Sequence, residues 1–155
     1  MDIGQSRPQP YFPALAPLTD KLAEYAYPMI RIVAGLTLAP HGCQKLFEWF
    51  GGNRAGTAAL FSKVGLEPAM SLVYLTGSIE LIGGLCIALG LFTRAAGAVV
   101  FVMLTVAWYK VHLVNGFFWT KLGIEYPLFW SLVMLAFAFG GGGKYSLDEK
   151  IGKEI

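Results

Sequence analysis

The chain has 155 residues, of which 55% are hydrophobic and only 14% charged, against roughly 25% charge in ordinary soluble domains. One core in a domain of this length cannot hide so much apolar surface, and the apolar residues come in long blocks, the pattern of a chain dissolved in lipid. A net charge of +2 without a dense basic run excludes nucleic acid as a partner and leaves the bilayer as the expected one.

Residues 1–17 read as a flexible, Pro-rich arm, with no apolar stretch suited to a cleaved signal. Thr19 and Asp20 are placed to cap a short interfacial helix over 21–27. Pro28 suits a first helical turn, where its missing N–H costs nothing, so a first span is predicted over about 28–49. Gly51, Gly52 and Asn53 break it. Residues 57–64 repeat apolar side chains at helical spacing and are predicted to form a second interfacial helix. Pro68 opens a second span over about 69–92. The short turn at Thr93-Arg94 leads to a third over 95–115, and Pro127 lies at the start of a fourth over 126–142. The glycines at 140–143 terminate it, leaving a soluble tail over 144–155.

The reading is therefore an all-α integral membrane four-helix bundle with short interfacial helices. Residues 1–27 form an arm and interfacial helix, 28–143 the bundle, and 144–155 a cytoplasmic tail. An even number of spans puts both termini on one side, and a small excess of Lys and Arg there makes that side cytoplasmic. Cys43 and Cys86 come out at different heights in this topology, so no disulfide is expected between them.

Ionisable residues inside spans are expensive, which makes them functional hypotheses. At a rise of about 1.5 Å per residue, His41 lies roughly 20 Å above the cytoplasmic end, Lys45 roughly 26 Å, Glu80 roughly 18 Å and His112 roughly 25 Å. Three helices thus place polar side chains in the outer half, with Glu125 at the rim. His41 and Lys45 are four apart and neighbour each other on one helix surface. Glu80 shares its face with Thr76, Gly77, Gly83 and Gly84, small residues suited to a helix–helix seam, so its carboxylate is expected inside the bundle with Lys45 or a protonated histidine as partner. Pro40 is expected to kink the first span just before His41. Trp108 and Tyr109 add flat aromatic surface nearby. The bland alternatives are a Lys45–Glu80 pair that only fixes register, a packed His41, and a Lys110 that snorkels to the interface.

Four stretches resemble the DoxX family of small bacterial membrane proteins: RIVAGLTLAPHGCQKLF from Arg31, Gly51-Gly52 leading to a helix that ends in GLEP, GSIELIGGLCIALGLFTRAAG from Gly77, and EYPLFW followed by GGGKYSLD. The resemblance covers nearly everything after residue 28. It implies membrane redox chemistry, since relatives are described as subunits of thiosulfate:quinone oxidoreductase or quinol oxidase complexes, and it implies polar positions matching Arg31, His41, Lys45, Glu80, His112 and Glu125. On this basis a quinone or similar small molecule is expected in the outer half of the bundle. Glu80 and His41 would exchange protons with it or hydrogen-bond it, and Lys45 would balance charge. His112 and Glu125 would gate proton access, with Arg31, Trp108 and Tyr109 as further contacts. Other subunits of a redox complex are the expected partners in a bacterial inner membrane. A homo-oligomer through the small residues Ala95, Ala96 and Gly97 is also expected. The rival readings are a non-catalytic anchor or assembly protein and a small transporter or metal-handling component with His41 and His112 as ligands.

Overall fold

A computed structural model describes residues 9–154; the first part of the Pro-rich arm, residues 1–8, and Ile155 lie outside the described residues. Among the described residues there is no strand. The helices are α1 (Ala16–Phe47), α2 (Arg54–Lys63), α3 (Ala69–Leu89), α4 (Thr93–Asn115), α5 (Glu125–Gly140) and α6 (Leu147–Ile151). Two of them, α3 and α4, are long and apolar enough to cross a membrane. The other two expected spans differ for physical reasons. α1 is long but carries Arg31, Lys45 and several charges in its first turns. α5 has 16 residues, about 24 Å of helix.

α1 is one helix of 32 residues that runs through both Pro28 and Pro40. The expected interfacial helix over 21–27 is therefore the beginning of α1, and Pro28 lies inside it. Thr19 does not cap: its hydroxyl donates back to the carbonyls of Leu15 and Ala16. α2 begins where Asn53 accepts from the Gly56 amide at 2.8 Å, a normal N-cap. α3 stops three residues earlier than expected, at Gly90, which takes φ +68°.

The main core draws Ala34 and Leu38 from α1, Ile87 from α3, Val100 from α4, and Met134 and Phe137 from α5. Glycine sets how closely the helices approach. A Cβ on Gly35 would meet the Gly84 carbonyl and Ala88, and one on Gly42 would meet Leu81 and the Gly77 carbonyl. α1 and α3 therefore touch backbone to backbone, with 35 beside 84 and 42 beside 77. Gly97 does the same for α4 against Met134 and Ala138 of α5. Of the small residues expected to meet a second copy, Gly97 is thus in contact within the chain and Ala96 packs on the core, while Ala95 is exposed.

The far end of the molecule is closed by its own C-terminus. Arg31, 1% exposed, donates to the carbonyls of Gly142 and Tyr145, and the Tyr27 hydroxyl donates to the Gly141 carbonyl at 2.5 Å. The Asp148 carboxylate accepts from the amides of Phe92 at 2.7 Å and Thr93 at 2.9 Å, and from the Thr93 hydroxyl at 2.8 Å. It thus caps α4 from across the sequence. The Asp148 amide in turn donates to the Gly90 carbonyl at 2.8 Å. The segment expected as a soluble tail docks on these helix ends, with Ser146 and Asp148 buried, because the orphan groups there find their partners in it.

Burial alone would raise the Asp148 pKa, but the hydrogen bonds from Thr93 and Phe92 and the nearby Arg31 charge outweigh it and hold the group below the usual carboxylate range. A carboxylate lowered by folding stabilises fully above its unfolded value, and that contribution is lost as pH falls through the lower folded one. Asp148→Asn is expected to cost about 2 kcal/mol at pH 6 and to flatten the loss of stability below about pH 4. Denaturation of the detergent-solubilised protein between pH 6 and pH 3 measures both.

Candidate functional site

The close seam between α1 and α3 brings Lys45 to Glu80. Lys45 Cβ lies 2.9 Å from where a Cβ on Gly77 would be, so Glu80 sits about one turn nearer the clasped end than Lys45. A helical side chain leans toward its own N-terminus, which aims Lys45 at the carboxylate. Lys45 Nζ stands 2.6 Å from Glu80 Oε2 and 2.8 Å from Oε1. Glu80 is 7% exposed, whereas the Lys45 side chain keeps 19%. The pair is therefore closed on the Glu80 side and open on the Lys45 side.

Glu80 also lies in a π-helical turn over Ile79–Gly83. Such widened turns are frequent at functional sites because they re-aim side chains and loosen the local hydrogen-bond ladder. On the open side, Lys45 and Gln44 form the floor of a groove of about 330 Å³, walled by Gly51, Gly52, Asn53, Gly56, Thr57 and Leu60. Gln44 was not expected as a site residue. Its Oε1 is 3.1 Å from His41 Nδ1, and its Nε2 donates to the Phe50 carbonyl at 3.2 Å. The available signal was its position, three residues from His41 and adjacent to Lys45.

The structure divides the remaining sequence candidates. His41 is exposed and bonded to Gln44, and it lies within electrostatic reach of Glu80. Arg31 does not belong to this group: it is fourteen residues before Lys45, about 21 Å along the helix, and its guanidinium holds the C-terminal clasp. His112 Nδ1 is 2.7 Å from the Leu122 carbonyl, and Glu125 accepts from the Trp119 amide at 3.0 Å. Both residues are thus tied to the α4–α5 connection rather than to Lys45 or Glu80. Glu125 borders a separate cleft of about 420 Å³ with Trp119, Tyr126, Phe129 and Trp130. Trp108 and Tyr109 pack edge to face on each other, with ring centroids 6.1 Å apart, and neither lines the groove at Lys45. Cys43 and Cys86 are free thiols. Among the described residues, no three His, Cys, Asp or Glu side chains converge as a metal site.

Among the described residues the chain is all-helical, with two helices long and apolar enough to cross a membrane and a charged pair at the seam of α1 and α3, the features of a helical membrane protein with a polar centre. It belongs to the DoxX family, whose model matches residues 27–113. Two similar proteins of Haemophilus influenzae are each described as an uncharacterized protein. One is 33% identical over 138 residues, covering 87% of this chain and 97% of the relative. The other is 32% identical over 74 residues, 48% of this chain and 49% of the relative. No solved structure matches.

Removing one partner of a mostly buried ion pair strands the other charge, whereas replacing both with apolar residues removes the penalty. Lys45→Met and Glu80→Leu are each expected to cost about 2–3 kcal/mol, with the double variant regaining most of the loss. A double-mutant cycle on unfolding free energies measures this coupling, and simple additivity of the two losses would refute it.

Proposed function

We propose that this DoxX protein crosses the bacterial cytoplasmic membrane four times, with both termini in the cytoplasm, as a subunit of a quinone-linked redox complex. α1, α3, α4 and α5 are the spans in this reading. The shared core of those four helices supports it, as do the many large apolar side chains that they turn outward. α1 contributes its central part, with Arg31 covered by the clasp and Lys45 by Glu80, so the charges that lower its hydropathy face protein.

The observation that carries the functional reading is the Lys45–Glu80 pair at the edge of the groove. A cavity near 300 Å³ is at the small end of ligand sites and matches a single substituted ring. The fit to a quinone rests on donors. Lys45 and Gln44 both line the groove, an ammonium and an amide N–H suited to carbonyl oxygens, and glycines at 51, 52 and 56 leave the wall low. A bound quinone would accept electrons delivered by a partner subunit, together with protons. Lys45 would orient the ring by donating to one oxygen. Glu80, held by Lys45, would store a proton at its carboxylate, and His41 with Gln44 would pass protons between Lys45 and the outer surface. His112 and Glu125 have no direct part in this version.

Calorimetric titration of the purified protein in nanodiscs with a short-chain ubiquinone analogue tests the reading. Saturable binding is expected, weakened at least about tenfold by Lys45→Met or Glu80→Gln in variants that still melt cooperatively. Affinity unchanged in both variants would leave the pair a register device and favour the assembly-protein reading. Copper or iron copurifying with the protein and lost in His41→Ala would favour the metal-handling one.

A further inference from the structure

The groove at Lys45 has a roof, and the roof is built to move. α2 and the end of the connection before it, residues 51–53, form the outer wall. α2 takes no part in the main core. Its buried anchor is a small separate cluster, Ala58 against Ala69 and Val73, with Phe61 beside it. The helix is flanked by two glycines in the left-handed region, Gly51 and Gly65, both at φ +76° with open space around them. Before α2, Glu48 at φ 57° and Phe50 at φ 54° also take left-handed backbone, a conformation that costs a residue with a Cβ on the order of 1–2 kcal/mol. A connection held in that state is kept there by contacts elsewhere.

Those contacts converge on Arg54, the first residue of α2. One guanidinium nitrogen is 3.1 Å from Glu48 Oε2, and another donates to the Tyr74 hydroxyl on α3 at 2.7 Å. The Arg54 amide donates to Glu48 Oε1 at 3.2 Å, and the guanidinium carbon sits 5.4 Å from the Tyr74 ring centre. At the other end, Ser62 donates to Glu67, whose second oxygen accepts from the Ala69 amide at 2.7 Å. That end is tied to the start of α3, whereas the Arg54 end is held by the side chains of Arg54 and of Gln44, which donates to the Phe50 carbonyl, and by the close approach of Gly52 to the Gln44 main chain.

We propose that α2 is the lid of the Lys45–Glu80 groove, hinged at Gly65 and at the left-handed residues Glu48, Phe50 and Gly51 and latched by Glu48–Arg54–Tyr74. Release of Arg54 relaxes the strained connection and lets the N-terminal half of α2 swing away from Gln44 and Lys45, so the latch controls access to the site. This inference deepens the reading of that groove as a ligand site and rests on it for its purpose, but its test uses no ligand.

In a protein whose own thiols are removed (Cys43→Ala, Cys86→Ala), a cysteine at Thr57 reports the inner face of α2 and one at Ala59 its exposed face. A charged, membrane-impermeant maleimide is expected to label Ala59→Cys rapidly and Thr57→Cys at least about tenfold more slowly. Adding Arg54→Ala is expected to accelerate Thr57→Cys about tenfold, as the loss of an exposed ion pair and a cation–π contact implies, and to leave Ala59→Cys unchanged. Tyr74→Phe, which removes only the hydroxyl, is expected to give a smaller rise, and it carries the test if Arg54→Ala does not fold. Equal labelling of the two reporters in the parent, or no acceleration at Thr57→Cys from either latch variant, overturns the lid. Equal acceleration at both reporters overturns it too, because α2 would then be unfolding rather than swinging. A lid that passes in a protein that binds no quinone would leave the quinone reading alone refuted.

Discussion

α1 and α3 meet with no side chain between them at 35 and 84, or at 42 and 77. This backbone contact fixes the spacing and the register of the two helices, because a methyl group at 35, 42 or 84 would collide with the facing main chain and one at 77 with Lys45 and Leu46. Within that register Lys45 has one partner in reach, Glu80. The ion pair is then possible at low cost: the seam excludes water from the carboxylate and the lysine supplies the compensating charge. A lipid-facing glutamate at the same depth would have neither.

The seam also separates two ends of different character. At one end Arg31, Tyr27 and Asp148 bind the C-terminal segment to the starts and stops of α3, α4 and α5. Lys144 pairs with Glu24 at 3.3 Å, and Tyr145 stacks on Tyr25 at 5.6 Å, both in the first turns of α1. At the other end, the α1–α3 connection is held by a small alanine-centred cluster and a half-buried arginine. A densely bonded base and a loosely held opposite end suit a protein that must keep its helices together while exchanging something at the polar pair. Local opening follows the distribution of buried contacts, and here that distribution is one-sided.

The polar pair was legible before any coordinates because charge is costly in an apolar chain: Glu80 on a small-residue face and Lys45 near the same height had few other ways to be satisfied. Gly77 and Gly84 were legible as a seam from their small size beside Glu80, and the glycines at 140–143 as a helix end, whereas Asn53, read as a break, is also the N-cap of α2. Arg31 misled. Its cost was read correctly, but an arginine can be satisfied by main-chain carbonyls as well as by a carboxylate or ligand, and those carbonyls come from residues 111 and 114 positions away. His112 and Glu125 misled in the same way, since the α4–α5 connection supplies their partners.

What the sequence by itself determined is the apolar, helical, membrane-borne character of the chain, its breaks at glycine and proline, and the need for Glu80 to find a cation. Composition and local spacing decide these, and both act over a few residues. Only the tertiary structure decided that Pro28 lies within a continuous helix, that the C-terminal segment caps α4 and buries Arg31, and that Arg54 reaches both Glu48 and Tyr74. Each of these depends on which orphan donor meets which acceptor across distant parts of the chain, a matching that no local pattern encodes.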